Sequence, residues 1–372
     1  MIRSVTIKGY RGLEHFEMDK LGRINLLVGK NNSGKSSVLE ALYLLGSGGS
    51  TRALSRILRG RGELADIGGE DEERLERELD VTHLFVGHRL DIDRVISMNA
   101  QGDSSPRFPS LSLRIAIKEI NDDKEQGEIA IPPQIGLAIS TSRPTSLGIY
   151  PISSRGGIGI RDLDRYRPLR ERVSTQLGVV QYVKSESLSP DEIVSLWDRI
   201  SLTPFQNNIL ESLKAVDETI ENIAAYSGDQ LRQIRFFSTS RGGFKVKLRG
   251  QDDPVPIGSL GDGVWRMLAI AISLAVSQNG ILLIDEIDTG LHYSVLEKLW
   301  GMVMNTAKDL DVQVFATTHS SDCVTSLASI CRAEPGAMSE VTIQRVEAGK
   351  RKAVAYGEGD IVMAAERHIE MR

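Results

Sequence analysis

Cysteine is scarce in this 372-residue chain, with only Cys323 and Cys331 present. Two thiols cannot staple a protein of this size, which excludes a disulfide scaffold and fits a reducing cytosol. Their spacing matches no zinc pattern, so both are expected to be inert thiols, buried or half-buried. Long apolar runs are also missing. The most apolar stretch, Met267 to Ile284, is broken by Ser277, Gln278, Asn279 and Gly280. That reads as a buried helix, a turn and a buried strand, not a membrane span. Met1 to Arg11 alternates apolar and polar residues, which excludes the apolar core of a secretory leader. An excess of positive charge is lacking too, with 45 Lys plus Arg against 50 Asp plus Glu and a net charge of -5. A generally basic nucleic-acid coat is thereby excluded, and any DNA contact must come from a local patch. What is present is ordinary for a globular protein: 41% hydrophobic and 26% charged residues, enough to bury a substantial core.

Val5 to Lys8 reads as a strand, and Phe16 to Met18 as its return after the turn Gly9-Tyr10-Arg11-Gly12. Ile24 to Val28 suits a strand buried on both faces. A helix over Lys35 to Leu45 follows, stopped by Gly46-Ser47-Gly48-Gly49. Period-2 runs between Leu90 and Ser140, including Asp91-Ile92-Asp93, predict an antiparallel sheet. Thr141 to Pro168 reads as loops. Ser189-Pro190-Asp191-Glu192 is a capping box, and Thr203-Pro204-Phe205-Gln206 repeats the arrangement. The second of these helices places Ile209, Leu213, Val216, Ile220 and Ile223 on one stripe. Residues 184–229 are therefore expected to form an inserted helical arm, with nine acids and three bases for a charge of -6. Gln233 to Phe237 and Phe244 to Leu248 suggest a hairpin. A helix from Gly263, a strand at Ile281 to Ile284, a helix from Ser294 to Leu310 and a strand at Val312 to Thr317 follow. Two strands, Val341 to Val346 and Lys352 to Tyr356, precede a final helix near Asp360 to Arg372.

Gly29-Lys30-Asn31-Asn32-Ser33-Gly34-Lys35-Ser36, with Ser37 next, fits the phosphate-loop pattern between an apolar strand and a helix. The glycines let backbone N–H groups wrap phosphates, Lys35 supplies charge, and Ser36 offers a Mg²⁺ ligand. Ile281 to Ile284 ends in Asp285 and Glu286. That strand is expected to lie beside the phosphate-loop strand, where Asp285 reaches the Mg²⁺ shell and Glu286 polarises the attacking water. Val314 to Thr318 ends in His319, which can contact a γ-phosphate or that water. Gly261-Asp262-Gly263 at a helix start is a further anion site.

This set resembles an ABC-type ATPase head, and within that superfamily the OLD (overcoming lysogenization defect) and related AAA-15 ATPases. Walker A falls at 29–36, the signature at 260–264, Walker B at 281–286 and the switch histidine at 319. Ile7-Lys8-Gly9-Tyr10-Arg11-Gly12-Leu13, the Asn31-Asn32 pair and Asp285-Glu286-Ile287-Asp288-Thr289-Gly290-Leu291-His292 support the resemblance. It implies an α/β fold: an ABC-type P-loop NTPase head with a mixed central sheet plus an N-terminal antiparallel sheet. The composite head would span 1–183 and 230–372, with the helical arm at 184–229. It implies ATP and Mg²⁺ as ligands, catalytic Lys35, Glu286 and His319, and metal-binding Ser36 and Asp285. It also implies a homodimer or higher homo-oligomer sandwiching ATP, with Gly261, Asp262 and Gly263 of one subunit completing the other's site.

The chain departs from the family in two places. Gly261 stands where the common signature has serine, and only 53 residues follow His319, too few for a Toprim nuclease domain. The implied role is a cytoplasmic ATPase of a prokaryotic defence system, with a separately encoded effector such as a Toprim-type nuclease. The alternatives are a RecF-like DNA repair ATPase and a non-catalytic ATP-dependent scaffold. Arg52, Arg56 and Arg59 on one helix face, and the region Arg155 to Arg172, read either as phosphate contacts to DNA or as solvated, ion-paired faces.

Overall fold

The computed structural model describes residues 1–65, 78–103, 111–120, 134–141, 148–160, 179–226, 243–333, 340–367 and 369–371. The chain divides into two compact units: 1–20, 32–176 and 347–353 in the first, and 21–31, 177–346 and 354–372 in the second. Strands and helices are numbered here along the whole chain.

The first unit is built on an antiparallel sheet of order β2-β1-β6-β7-β8-β9. Its strands are β1 (Ile2–Tyr10), β2 (Leu13–Met18), β6 (Val95–Gly102), β7 (Leu111–Ile120), β8 (Gln134–Thr141) and β9 (Gly148–Pro151). Ile2, Val5, Ile7 and Tyr10 of β1 are buried, roughly the alternation of a sheet with one covered face. Helix α1 (Lys35–Gly46) packs on β1, β6 and β7 and leads into α2 (Thr51–Gly60). A small sheet joins β10 (Gly157–Gly159), β5 (Glu78–Asp80) and β4 (Leu64–Ala65).

A buried ionic network ties the β1–β2 turn to α1 and to the segment after α2. The Glu40 carboxylate of α1 accepts from Arg11 Nε at 2.8 Å, Arg61 Nε at 2.7 Å and the Tyr10 hydroxyl at 3.2 Å. The other end of Arg11 grips Glu63 through both terminal nitrogens, at 2.6 and 3.0 Å. Burial, with Glu40 alongside, pushes the Tyr10 phenol far above its ordinary range.

The second unit holds the mixed sheet, of order β11-β15-β16-β3-β17-β18. These are β3 (Ile24–Val28), β11 (Val180–Val183), β15 (Ile281–Ile284), β16 (Gln313–Thr317), β17 (Val341–Arg345) and β18 (Val354–Gly357). Every pairing is parallel except β17 with β18. All residues of β3, β15 and β16 are buried, as mainly apolar strands covered on both faces should be, with Asn25, Gln313 and Thr317 the buried polar exceptions. Helix α5 (Asp262–Val276) is buried from Val264 to Val276. Helices α6 (Leu296–Asp309), α7 (Ser321–Ala333) and α8 (Glu358–Glu366) complete the layers.

Several expectations change. Residues 184–229 do not stand apart as an arm. Helices α3 (Pro190–Trp197) and α4 (Phe205–Lys214) pack on α5, burying Ile193, Trp197, Ile209 and Leu213. The Ser189–Glu192 capping box forms. Thr203 does not repeat it, because its hydroxyl bonds back to the Ile200 carbonyl. The second helix stops at Lys214. Asp217 accepts from the Thr219 amide and hydroxyl, a local turn that competes with helix. Ile220 and Ile223 then lie in strand β12 (Ile220–Ala225), in a sheet with β13 (Phe244–Leu248) and β14 (Val255–Pro256). The span Asp91-Ile92-Asp93 is a turn, with Asp93 in the left-handed region at φ 63. Gln233 to Phe237 and residues 161–178, including Arg161 to Arg172, lie outside the described residues. Cys323 and Cys331 are buried and unbridged. No helix among the described residues is long and apolar enough to cross a membrane.

Candidate functional site

The sequence suggests that β15 flanks the phosphate-loop strand. Instead β16 lies between β15 and β3. Strand order is set by tertiary pairing, which local apolar patterns do not encode. The consequence is chemical, because the carboxylates that follow β15 are held by the residues that end β16. Thr317 Oγ1 donates to Asp285 Oδ1 at 2.6 Å and accepts the Glu286 N–H at 2.8 Å. Thr318 Oγ1 donates to Asp288 Oδ1 at 2.7 Å. Thr317 and Thr318 are both buried.

Glu286 adopts φ 50, a left-handed backbone that residues other than glycine rarely occupy and that tends to concentrate at functional sites. Its Oε2 accepts from Thr289 Oγ1 at 3.0 Å, and its Oε1 lies 3.9 Å from His319 Nε2. Asn31, Glu286, Asp288, Thr289 and His319 line one cavity of about 340 Å³. Three sequence-derived candidates thus meet there: Asn31, Glu286 and His319. Asp285 sits beside them on the same turn.

Behind the turn, α5 contributes Arg266, which is 2% exposed. Its guanidinium donates to the backbone carbonyls of Lys184, Asp285 and Glu286. Burial pushes Arg266 down to about 10, opposed by Asp285, Asp288, Glu286 and Glu186, so it stays charged at neutral pH. Thr289, Thr317 and Thr318 stand in stretches that support the family resemblance, but sequence reasoning gave no role to them, to Asp288 or to Arg266. The only signal for Arg266 was a lone cation inside an otherwise apolar helix.

Gly261, Asp262 and Gly263 open α5, as expected. They pack within their own unit against the segment after Thr289. A Cβ on Gly263 would lie 3.1 Å from the Gly290 carbonyl oxygen, and one on Gly290 would lie 2.9 Å from Asp262 Cβ. A side chain at Gly263 therefore disturbs its own chain.

The phosphate loop runs from Gly29 to Asn31 at the end of β3 and continues as Asn32 to Ser37 in the first unit, where Lys35 starts α1. Within the loop Asn32 and Gly34 take φ 60 and φ 100. Ser33 Oγ is buried without a hydrogen-bond partner, an orphan that an anionic ligand would satisfy. Lys30 is exposed, and Lys35 is 4% exposed. Among the described residues no group of three or more His, Cys, Asp and Glu could hold a metal by itself. A Mg²⁺ ion carried by substrate phosphates, needing only one or two protein oxygens, fits this donor set.

Several known proteins are similar to this chain. A protein of Helicobacter pylori named ATP/GTP phosphatase is 26% identical over 356 residues, covering 89% of each chain. The DNA replication and repair protein RecF of Nitrosococcus oceani is 45% identical over 56 residues, 15% of each chain. Among solved structures, an SMC head bound to the C-winged helix domain of ScpA covers 96% of this chain and 97% of its own. Its TM-score is 0.48 and its identity 13%. Residues 24–322 match a family described as "AAA domain, putative AbiEii toxin, Type IV TA system". That match takes in β3, the loop after it, α5, β15, β16 and His319, and on that extent the chain belongs to this AAA domain family.

Proposed function

We propose that this chain is a Mg²⁺-dependent ATPase of the ABC type, acting as a nucleotide-switched dimer. On this reading it is the cytoplasmic ATPase component of a prokaryotic defence system of the OLD/AAA-15 kind, working with a separate effector. The observation that carries the proposal is the convergence of Asn31, Glu286 and His319 on one cavity, with Asp285 fixed beside them. The name of the Helicobacter pylori relative and the toxin–antitoxin description of the family support the chemistry and the setting respectively.

In this reading Gly29 to Ser37 cradle the phosphates, Lys35 faces their charge, and Ser36 and Asp285 supply the protein oxygens for the metal. Bound Mg²⁺ would neutralise charge developing on the phosphates. Glu286 takes a proton from the attacking water, and His319 orients that water or the γ-phosphate. Gly261, Asp262 and Gly263 of a second copy present a helix start to the same nucleotide. The RecF matches favour a second reading, a DNA repair ATPase that clamps DNA through the exposed Arg52 and Arg59. Tight DNA binding that requires ATP would select it.

The test is phosphate release by purified protein. Glu286→Gln should retain ATP binding and lose about 10²-fold or more in turnover, whereas Lys35→Ala should lose binding. Turnover by the Gln variant within a few-fold of the unaltered protein would remove Glu286 from this role.

A further inference from the structure

We infer that Thr317 is a positioning residue, the group that aims Glu286 and Asp285. The inference rests on the ATPase reading above. It starts from how much of the catalytic turn is anchored on this one residue. The Thr317 side chain accepts the Glu286 N–H and donates to Asp285 Oδ1, and its carbonyl accepts the Ile287 N–H at 3.0 Å. Three consecutive residues, 285 to 287, are therefore fixed on Thr317.

A hydroxyl has a single proton. Oγ1 accepts the Glu286 amide, which supplies its own proton, so the single Thr317 proton goes to the carboxylate oxygen within reach, Asp285 Oδ1. One oxygen of that carboxylate is fixed and the side chain cannot rotate freely. The same hydroxyl holds Glu286 at φ 50. Released from it, the backbone relaxes toward a commoner region, and the carboxylate that should face the water turns away from His319, now 3.9 Å distant.

Thr317 is buried and touches none of the reacting atoms, so its effect is one of aim. Misplacing a catalytic group by about 1 Å can lower a rate by about 10²-fold. Simple packing could also explain a buried threonine. Valine and serine separate the two explanations, since valine keeps the shape without the hydroxyl and serine keeps the hydroxyl without the methyl.

The experiment compares Thr317→Val and Thr317→Ser with the unaltered protein, with Thr317→Ala in place of the valine variant should that one not fold. Two readouts are taken: steady-state ATP hydrolysis, and amide hydrogen exchange of the peptide covering residues 285–289 in nucleotide-free protein. Thr317→Val should lower kcat by about 10- to 100-fold with ATP affinity within about 3-fold, and should speed exchange at Glu286. Thr317→Ser should stay close to the unaltered protein in both. Equal losses in Val and Ser, a change in KM alone, or a Val variant with unaltered kcat would each overturn the inference. If the unaltered protein hydrolyses ATP no faster than Glu286→Gln, the ATPase reading fails by itself. Exchange then decides the inference about Thr317: faster exchange in Val but not Ser upholds the anchoring, and unchanged exchange in Val overturns it.

Discussion

Replacing Glu40 by Gln removes one negative charge from the buried network of the first unit while keeping the side chain's shape. In the unaltered protein two guanidiniums, Arg11 and Arg61, share two carboxylates, Glu40 and Glu63. After substitution Arg11, 9% exposed, keeps its two bonds to Glu63 but loses a charge-assisted acceptor on Nε. Breaking a buried pair by removing one partner costs about 3–5 kcal/mol. The surviving Glu63 contact places this case at the lower end. Arg61, with its side chain 37% exposed, adds only about 0–1 kcal/mol, since water can re-solvate it. The expected loss is therefore about 3 kcal/mol. Urea unfolding followed by circular dichroism should show the midpoint of the affected transition falling by about 1–3 M, given a slope of roughly 1–3 kcal/mol/M. A double-mutant cycle with Arg11→Gln should return a coupling of at least about 1 kcal/mol. A loss below about 1 kcal/mol, or strict additivity in the cycle, would refute the view that this network holds the β1–β2 turn onto α1.

Two further substitutions have expected outcomes. Gly290 sits at φ 76 with a would-be Cβ 2.9 Å from Asp262 Cβ, so Gly290→Ala should lower stability by about 1–3 kcal/mol. An unshifted thermal midpoint would contradict the packing of that segment on the start of α5. Burial, with Glu358 nearby, lifts the Cys331 thiol from 9.0 to about 11. The native state therefore holds a proton that the unfolded chain releases. That contribution is complete below about pH 9 and is lost as pH rises toward 11, amounting to about 2 kcal/mol. Cys331→Ala should flatten the alkaline limb of the stability–pH curve, and an identical limb in the variant would show that the thiol is not its source.

The parts of the site legible in the sequence are those whose chemistry leaves a local mark. Ile281 to Ile284, an unbroken apolar run, and Ile24 to Val28, apolar except at Asn25, read as strands because short apolar stretches bounded by glycine or acids fit little else. Gly34-Lys35-Ser36 at a helix start announced itself by spacing. The limits appear where meaning depends on a distant neighbour. Thr317 and Thr318 look like ordinary strand-end threonines until β16 is known to lie beside β15. Arg266 looks like a stray cation until its three carbonyl partners are in place. Val216, Ile220 and Ile223 continue a helical stripe on paper, but Asp217 and Thr219 close a turn first, and the pairing with Phe244 to Leu248 makes the rest a strand.

The position of β3 in its sheet has a consequence for how the chain is made. Ile24 pairs with Val314 on one side and with Val341 on the other. Both neighbours are synthesised roughly 300 residues after it, which at about 5–20 residues per second is a delay of about 15–60 s. Throughout that interval a strand that is apolar except at Asn25 has neither of its lateral partners, and closing loops of such span makes the sheet slow to complete. The phosphate-loop strand is therefore translated long before it is enclosed. Nascent chains stalled before about residue 345 should need a holding chaperone to stay soluble and should bind no nucleotide.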